Sequence, residues 1–422
     1  MKILLVTRGS QGDVLPYLAV ARELVKRGHE VTVNIPHVFE EMAKKYPVKV
    51  VLQDFDNIGW MMADAAENKQ SFKRIVEWTR EAIDKQFVQL IPLLEQNDVL
   101  VAANTEFAAT GIAAYCKKPF VRTSFAPFLP GEKMPPPAFP YPKPNPIITP
   151  KLLWLMMNRV SNYMVKDTIN KNRRKYGLAP ISNFGEDAAK NSDNFLLYSR
   201  YLGHTDPVWD KRFRWNIGGY CFNDTFEYDE EAVRKALKEE AYEELMAFIK
   251  KEETPVLFFT LGSCTSNDRE RFCGMLARIC KRKQYRLVVG SGWAKTGETL
   301  QGNEQLFLMQ KPIPHHLIFP HCDAVIHHGG SGTTHSVARA GKPQLITPLL
   351  LDQPYWGYRV QVLGVGPERV KIAKVSESEL EQKMGDLISN PEYKKNAAML
   401  SEQIESEKGI ENICNYIESL AR

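Results

Sequence analysis

The chain has 422 residues, of which 44% are hydrophobic and 25% charged, and a formal net charge of +5. At about 150 residues per domain that length predicts two or three domains, and the composition excludes a wholly disordered, collagen-like or disulfide-scaffold chain. The basic excess is too small for a dedicated nucleic-acid binder, and seven scattered cysteines without a CxxC pair signal neither a zinc site nor a disulfide framework.

A reducing, cytoplasmic setting is therefore expected. The apolar run Ile3 to Val6 is cut off by Arg8 and is too short for a signal peptide. Leu152 to Met157 falls far short of the roughly 20 apolar residues a membrane-spanning helix needs.

In chain order, KILLV (2–6) predicts a buried strand, TRGSQGD (7–13) a polar loop, and Pro16 to Arg27 a helix that ends at Gly28. VTVNI (31–35) is the next strand, so the opening is a βαβ unit and the sheet is parallel. DVLVAAN (98–104) and FVRTSF (120–125) read as later strands of that sheet. Residues 127–150 are proline-rich, with Pro135-Pro136-Pro137, and can be neither regular helix nor central strand. A loop this long is expected to wall a pocket or to be a plain surface excursion. Its aromatic side chains, with Phe125 before it, make Phe125, Phe128, Phe139 and Tyr141 the candidate apolar surface.

Residues 151–177 predict one helix, apolar early and basic late. Such a helix either packs on the core with a solvated polar face or lies on an anionic membrane, so peripheral membrane contact is an open expectation. Residues 224–253 read as a linker and the first helix of a second domain. VLFFTLGS (256–263), RLVVGSG (286–292) and AVIHHGGSGTT (324–334) are then three strand-to-loop junctions of a second βαβ series, with a helix over 269–283. Two α/β halves of this kind bind ligands at the carboxyl edges of their strands, in the cleft between them.

The residues that carry chemistry sit at those edges. In HHGGSGTTHSVARAG (327–341), glycines after a strand open a helix, and free amides at a helix N-terminus bind phosphate. His328 adds a donor and, when protonated, a charge. No GKS or GKT follows, so this is not a P-loop, and a dinucleotide GxGxxG fails at His335 and, for Gly290-Ser291-Gly292, at Lys295. Asp352 and Gln353 are adjacent polar residues in an apolar turn, suited to sugar hydroxyls or to capping a helix. Asp13, three residues after Ser10, is placed to take a proton from an acceptor hydroxyl or to cap its helix, or both.

HHGGSGTT followed by DQPYWG resembles the family-1 glycosyltransferases of the two-Rossmann GT-B fold, and the opening loop GSQGDVLP is similar to that of their sterol glucosyltransferase and glycopeptide-antibiotic branch. The resemblance runs over the opening βαβ unit, the proline-rich segment and the region from about 255 to 370. It implies an α/β chain with two doubly wound domains facing across a cleft: 1–230 for the acceptor, 231–405 for the donor, and 406–422 as a helix packed back on the first domain. It further implies that His328, Gly330, Ser331, Gly332 and Thr333 hold a diphosphate, that Asp352 and Gln353 hold the sugar, and that Ser263 and Trp293 lie on the nucleotide side. Asp13, with Ser10, falls where the branch places its catalytic Asp. Where plant relatives stack a Trp on the base this chain has Gln310, and their ribose-binding Glu falls on Ser336, so UDP- and TDP-linked donors both stay open.

The expected activity is inverting, metal-independent transfer of a hexose, glucose first, from a UDP-sugar to a hydroxyl of an apolar acceptor such as a sterol, triterpenoid or polyphenol. The UDP-sugar is a co-substrate; no cofactor, metal or nucleic-acid partner is expected. The rival readings are a nucleotide-sugar epimerase of the same fold and a non-catalytic nucleotide-sugar binding protein.

Overall fold

Near-continuous apolar runs such as Ile3–Val6 and Val256–Phe259 have no polar face to offer solvent, so their strands are covered on both sides. The computed structural model describes residues 1–55, 72–139, 148–223, 239–251, 253–264, 266–290, 304–309 and 313–420. Within them the chain builds two all-parallel sheets with helices on both faces.

The first half runs β1 (Lys2–Val6), α1 (Gln11–Lys26), β2 (Glu30–Ile35), β3 (Lys49–Leu52), α2 (Phe72–Glu95), β4 (Val99–Ala103), α3 (Ala109–Cys116) and β5 (Phe120–Ser124). It continues through α4 (Pro150–Ser161), α5 (Asp167–Lys175), α6 (Phe184–Lys190), β6 (Asp193–Leu196) and β7 (Arg214–Ile217). The sheet order is β3-β2-β1-β4-β5-β6-β7. The second half runs α7 (Glu239–Lys250), β8 (Val256–Thr260), α8 (Arg269–Lys283), β9 (Arg286–Gly290), β10 (Leu306–Met309), α9 (His315–Ile318), β11 (Ala324–His327), α10 (Ser331–Arg339), β12 (Gln344–Ile346), α11 (Gln353–Val362), α12 (Glu377–Ser389), α13 (Pro391–Glu405) and α14 (Gly409–Ser419). Its sheet order is β10-β9-β8-β11-β12. Each sheet reverses direction once, between β1 and β4 and between β8 and β11. The loops leaving those strands splay apart and open a crevice.

Helix α14 lies on the first sheet: Ile413, Cys414 and Ile417 share a buried cluster with Leu18 and Leu24 of α1. Arg27 reaches Asn415 and Glu418 at 2.6 and 3.0 Å. The boundary expected at residue 230 lies outside the described residues.

Two expectations change. Helix α1 starts at Gln11, not at Pro16. Ser10 has extended backbone and begins the helix, and Asp13, three residues on, turns its carboxylate back to it. Pro16 sits inside the helix without an N–H, so it cannot bond the Gly12 carbonyl. The single helix expected over 151–177 is two, α4 and α5, joined by a π-helical turn at Asn162–Lys166. There Arg80 draws off the carbonyls of Tyr163 and Met164 at 2.7 and 3.0 Å, and the Asn162 side chain accepts from Phe184 N–H.

The two halves meet along a buried polar seam. The segment after β6 presents its backbone to α10 and α11: Ser199 N–H donates to His335 Nε2 at 3.0 Å, His204 N–H to the Tyr355 hydroxyl at 2.9 Å, and Arg359 Nε to Leu202 O at 2.8 Å. Tyr198, Trp209, Tyr355 and Trp356 pack around these bonds in one apolar cluster drawn from both halves. Tyr355→Phe keeps the packing and removes the acceptor for His204 N–H, which is expected to cost about 1–3 kcal/mol. A shift of the urea midpoint measures it, and an unchanged midpoint would mean that the seam does not hold the halves together.

Candidate active site

The site is assembled from the loops that follow β1, β8 and β11 and from the N-termini of α1, α10 and α11. On the acceptor side, Asp13 Oδ2 accepts from both the Ser10 amide at 2.7 Å and the Ser10 hydroxyl at 3.2 Å. Gly9 makes that geometry possible. It has φ +139°, and a Cβ there would lie 2.2 Å from Asp13 Oδ2. Asp13 Oδ1 bonds no described residue. Burial pushes the Asp13 carboxyl up to about 6, against the opposing Ser10 bonds. Asp13 is thus a helix cap and also holds a free carboxylate oxygen with a near-neutral pKa.

On the donor side, pairing of His327 with Thr260 in the β8–β11 register brings the β11 loop beside the β8 loop. His328 N–H bonds Thr260 O at 3.3 Å, and its ring packs over Gly262, where a Cβ would meet His328 Cε1 at 2.8 Å. His328 Nδ1 is buried and has no hydrogen-bond partner among the described residues. Burial lowers its pKa to about 4, so the ring is neutral at pH 7 until an anion arrives to raise it. Gly329, at φ +88°, lets the loop pass beneath Ile346, and Gly330 leaves room for His328 Nε2, 2.5 Å from where a Cβ would stand.

Helix α10 then begins at Ser331. Its hydroxyl donates to Phe125 O at 2.8 Å, so what Ser331 offers an anion is its amide. A Cβ on Gly332 would lie 2.8 Å from the Tyr220 hydroxyl and 3.9 Å from Gly12 Cα. The start of α10 therefore faces the start of α1 directly across the cleft. Thr333, the third expected member of the cradle, is buried. Ser263 lies half-buried in the β8 loop next to Gly262.

Asp352 and Gln353 come from the turn before α11. Asp352 stands just before the first residue of the helix, but its side chain does not cap it; its Oδ2 accepts Trp356 Nε1 at 2.8 Å. Burial raises its carboxyl to about 6, with a further push from Asp13. Gln353 Oε1 accepts the amides of Leu349 and Leu350 at 2.7 and 3.1 Å and so holds a turn in which Leu351 has φ +51°. Gln353 Nε2 donates one hydrogen to Cys264 Sγ at 3.3 Å. Two carboxylates, an amide, an unpartnered imidazole and a helix N-terminus thus surround one crevice.

The acceptor-side aromatics are spread out. Phe125 stands between Tyr17 and Tyr220, with ring centroids 6.5 and 6.3 Å away. Phe128 packs against the cluster at the seam, and Phe139 closes a turn through its N–H to Pro136 O at 3.0 Å. Tyr141, Trp293 and Gln310 lie outside the described residues.

Sequence reading missed four participants. Tyr220 stacks on His335 at 4.6 Å and lines the floor beside Gly332. His335 is held neutral by burial, with a pKa near 4, and its Nδ1 donates to Ser331 O at 2.7 Å. Cys264 supports Gln353. Glu106, buried and raised to about 7, lies 3.8 Å from Arg8 Nε. His335, inside the 327–341 segment, and Cys264, next to Ser263, sat in or beside stretches already singled out; Tyr220 and Glu106 did not.

Comparison with known proteins places the chain. Residues 3–115 match the model of the glycosyltransferase family 28 N-terminal domain, and residues 307–420 that of the erythromycin biosynthesis protein CIII-like C-terminal domain. A sterol 3-beta-glucosyltransferase of Arabidopsis thaliana is 24% identical over 97% of this chain, and O-mycaminosyltylonolide 6-deoxyallosyltransferase of Streptomyces fradiae is 26% identical over 100%. The chain spans 64% of the plant protein and 98% of the bacterial one. Among solved structures, the glycotransferase of kitacinnamycin superposes with a TM-score of 0.74 at 18% identity, over 99% of this chain and 98% of that one. The calicheamicin glycosyltransferase CalG4 does so with 0.69 at 17%, again over 99% and 98%. The fold is GT-B, and 97% of the chain aligns in sequence with a sterol glucosyltransferase. Among the described residues no helix is long and apolar enough to cross a membrane.

Asp352 titrates near 6 when folded against about 3.9 unfolded, so its charge destabilises the ligand-free fold above pH 6, and that cost fades as the pH falls toward 4. Asp352→Asn retains the bond to Trp356. It is expected to add about 1–2 kcal/mol at pH 8 and almost nothing at pH 4.5, read from denaturant midpoints at the two pH values. An equal gain at both would show that the carboxylate is not desolvated.

Proposed function

We propose that the chain transfers a hexose from a nucleoside-diphosphate sugar to a hydroxyl group of an apolar acceptor, with inversion at the anomeric carbon and without a metal ion. The observation that carries the reading is the approach of Asp13 and the α10 N-terminus from opposite walls of one cleft, with Asp352 and Gln353 beside them. Asp13 takes the acceptor proton as the hydroxyl oxygen attacks the anomeric carbon. The bond to the diphosphate breaks on the opposite face, and its electron pair goes to the departing phosphate oxygen. The amides of Ser331, Gly332 and Thr333, the positive end of α10 and His328 meet that charge. Asp352 and the remaining Gln353 N–H bind sugar hydroxyls.

Glucose linked to UDP is the first donor to test, in keeping with the similarity to sterol glucosyltransferases, and TDP-sugars are the second, in keeping with the antibiotic glycosyltransferases. Phe125, Tyr17 and Tyr220 give the acceptor side an aromatic wall, which favours a sterol-like or polycyclic aglycone. Seven unpaired cysteines favour a reducing, cytoplasmic setting.

Mass spectrometry after incubation with UDP- or TDP-glucose and a panel of sterols, flavonoids and macrolactones, with and without chelator, tests the proposal. A product one hexose heavier that forms in chelator supports it. An epimeric sugar formed without acceptor would replace it with epimerisation, and nucleotide binding with no turnover on any acceptor would favour a binding protein. Asp13→Ala is expected to lower transfer by about 10²-fold or more while nucleotide affinity, by calorimetry, stays within a few-fold. Because the base must be deprotonated, kcat/KM should fall as the pH drops through about 6. A flat profile from pH 5 to 8 would remove Asp13 from that role.

A further inference from the structure

Large apolar side chains at the surface are ordinary when scattered, and Val38, Val88, Tyr201 and Met399 are of that kind. One surface differs. Leu152, Leu155, Met156, Val160 and Tyr163 recur at the spacing of a single helix face along α4 and into its π turn, and all are exposed, Leu155 at 50%, Met156 at 47% and Tyr163 at 64%. Phe72, at the start of α2, adds to the same surface by stacking on Tyr163 with centroids 6.3 Å apart. Arg80 fixes this aromatic pair, since its guanidinium lies 5.6 Å over the Tyr163 ring while it bonds the carbonyls beneath. The opposite face of α4 is buried: Leu153 and Trp154 point inward, and Trp154 Nε1 donates to Met134 O at 2.9 Å in the proline-rich segment. The exposed stripe is thus the outer side of a helix whose inner side is tied to the proline-rich segment.

Along this stretch of chain the charge is mainly basic. Residues 150–175 hold seven Lys or Arg and a single acid, Asp167. Lys171 is spent on Asp84 at 2.9 Å, and Arg173 on Ala179 O. Lys151 and Arg159, on the α4 surface itself, pair with no described residue. Lys73 on the flank is engaged with Glu77 only loosely, at 3.9 Å.

We infer that this face docks the protein on an anionic lipid bilayer, with the leucine, methionine and aromatic side chains entering the interface and Lys151, Arg159 and their neighbours meeting the headgroups. Apolar contact and attraction to anionic lipid act together in such binding, and exposed Tyr and Phe suit the boundary region. A soluble protein partner would also bury the stripe, but Lys151 and Arg159 beside it, with no described acidic partner, match a phosphate-rich surface better. Docking there would bring the proline-rich segment, to which α4 is tied through Trp154 and Met134, close to the bilayer.

The test is flotation of the full chain with vesicles of phosphatidylcholine alone or with about 30% phosphatidylglycerol. It reads binding without turnover, so it stands or falls apart from the transfer reaction. The wild type should float with anionic vesicles and several-fold less with neutral ones. Leu155→Ser/Met156→Ser, at exposed positions where melting should not change, is expected to lower partitioning by about tenfold or more. Lys151→Glu/Arg159→Glu should remove the preference for anionic lipid and its sensitivity to salt. Failure of the wild type to float with either vesicle overturns the inference. So does equal flotation of the serine variant, or sedimentation showing that the stripe forms a dimer while vesicles stay unbound.

Discussion

The imidazole of His335 is the joint on which the arrangement of this molecule turns. One ring nitrogen takes a backbone N–H from the first half of the chain, the other gives its hydrogen to the first residue of its own helix, and the ring face lies on Tyr220. An imidazole can do this only when neutral, and burial keeps it so. The helix it anchors is α10, whose N-terminus faces the start of α1 across the cleft. Fixing His335 against Ser199 therefore fixes the distance between the α10 amides and the loop that carries Asp13. Catalytic groups supplied by two separate sheets need such a connection, because an error of about 1 Å between them costs orders of magnitude in rate.

The electrostatics of the cleft follow from burial without compensation. Asp13 and Asp352 are both held near pH 6, and His328 is held neutral with one nitrogen unpartnered. Each of these costs stability in the empty protein and is relieved by a ligand of the right charge pattern: hydroxyls for the carboxylates, an anion for the imidazole and the helix end. These polar groups are not consumed by one another, which is what the proposed sugar diphosphate would require of them. Gln353 is the exception, since three of its four bonding positions go to the Leu349–Leu350 turn and Cys264, and it has one N–H left to give.

The α4 surface shows how one short helix can serve two media. Its inward face is tied to the proline-rich segment through Trp154, and its outward face carries the apolar stripe. The π turn that ends α4 comes from Arg80 claiming two helix carbonyls, and the same bonds hold Tyr163 upright at the surface.

Much of this was legible in the order of residues. The apolar runs of β1, β4, β8 and β11 announce strands buried on both faces, and glycines between a strand and a helix announce a phosphate-sized turn, because both are local demands of backbone geometry. The Ser10–Asp13 spacing signals a helix cap, yet Pro16 drew the expected helix start five residues too late, since a proline reads as a first-turn residue and here sits inside the helix. The break in 151–177 was invisible, because its cause is Arg80, some eighty residues away. The sequence by itself determined two parallel α/β halves and the residue types on their loops. Only the tertiary structure decided that Tyr220, Ser199 and Cys264 complete the cleft and that Ser331 spends its hydroxyl on Phe125. Those contacts join residues from about 90 to 210 positions apart, and no local periodicity reports a meeting that depends on how two separately folded sheets settle against each other.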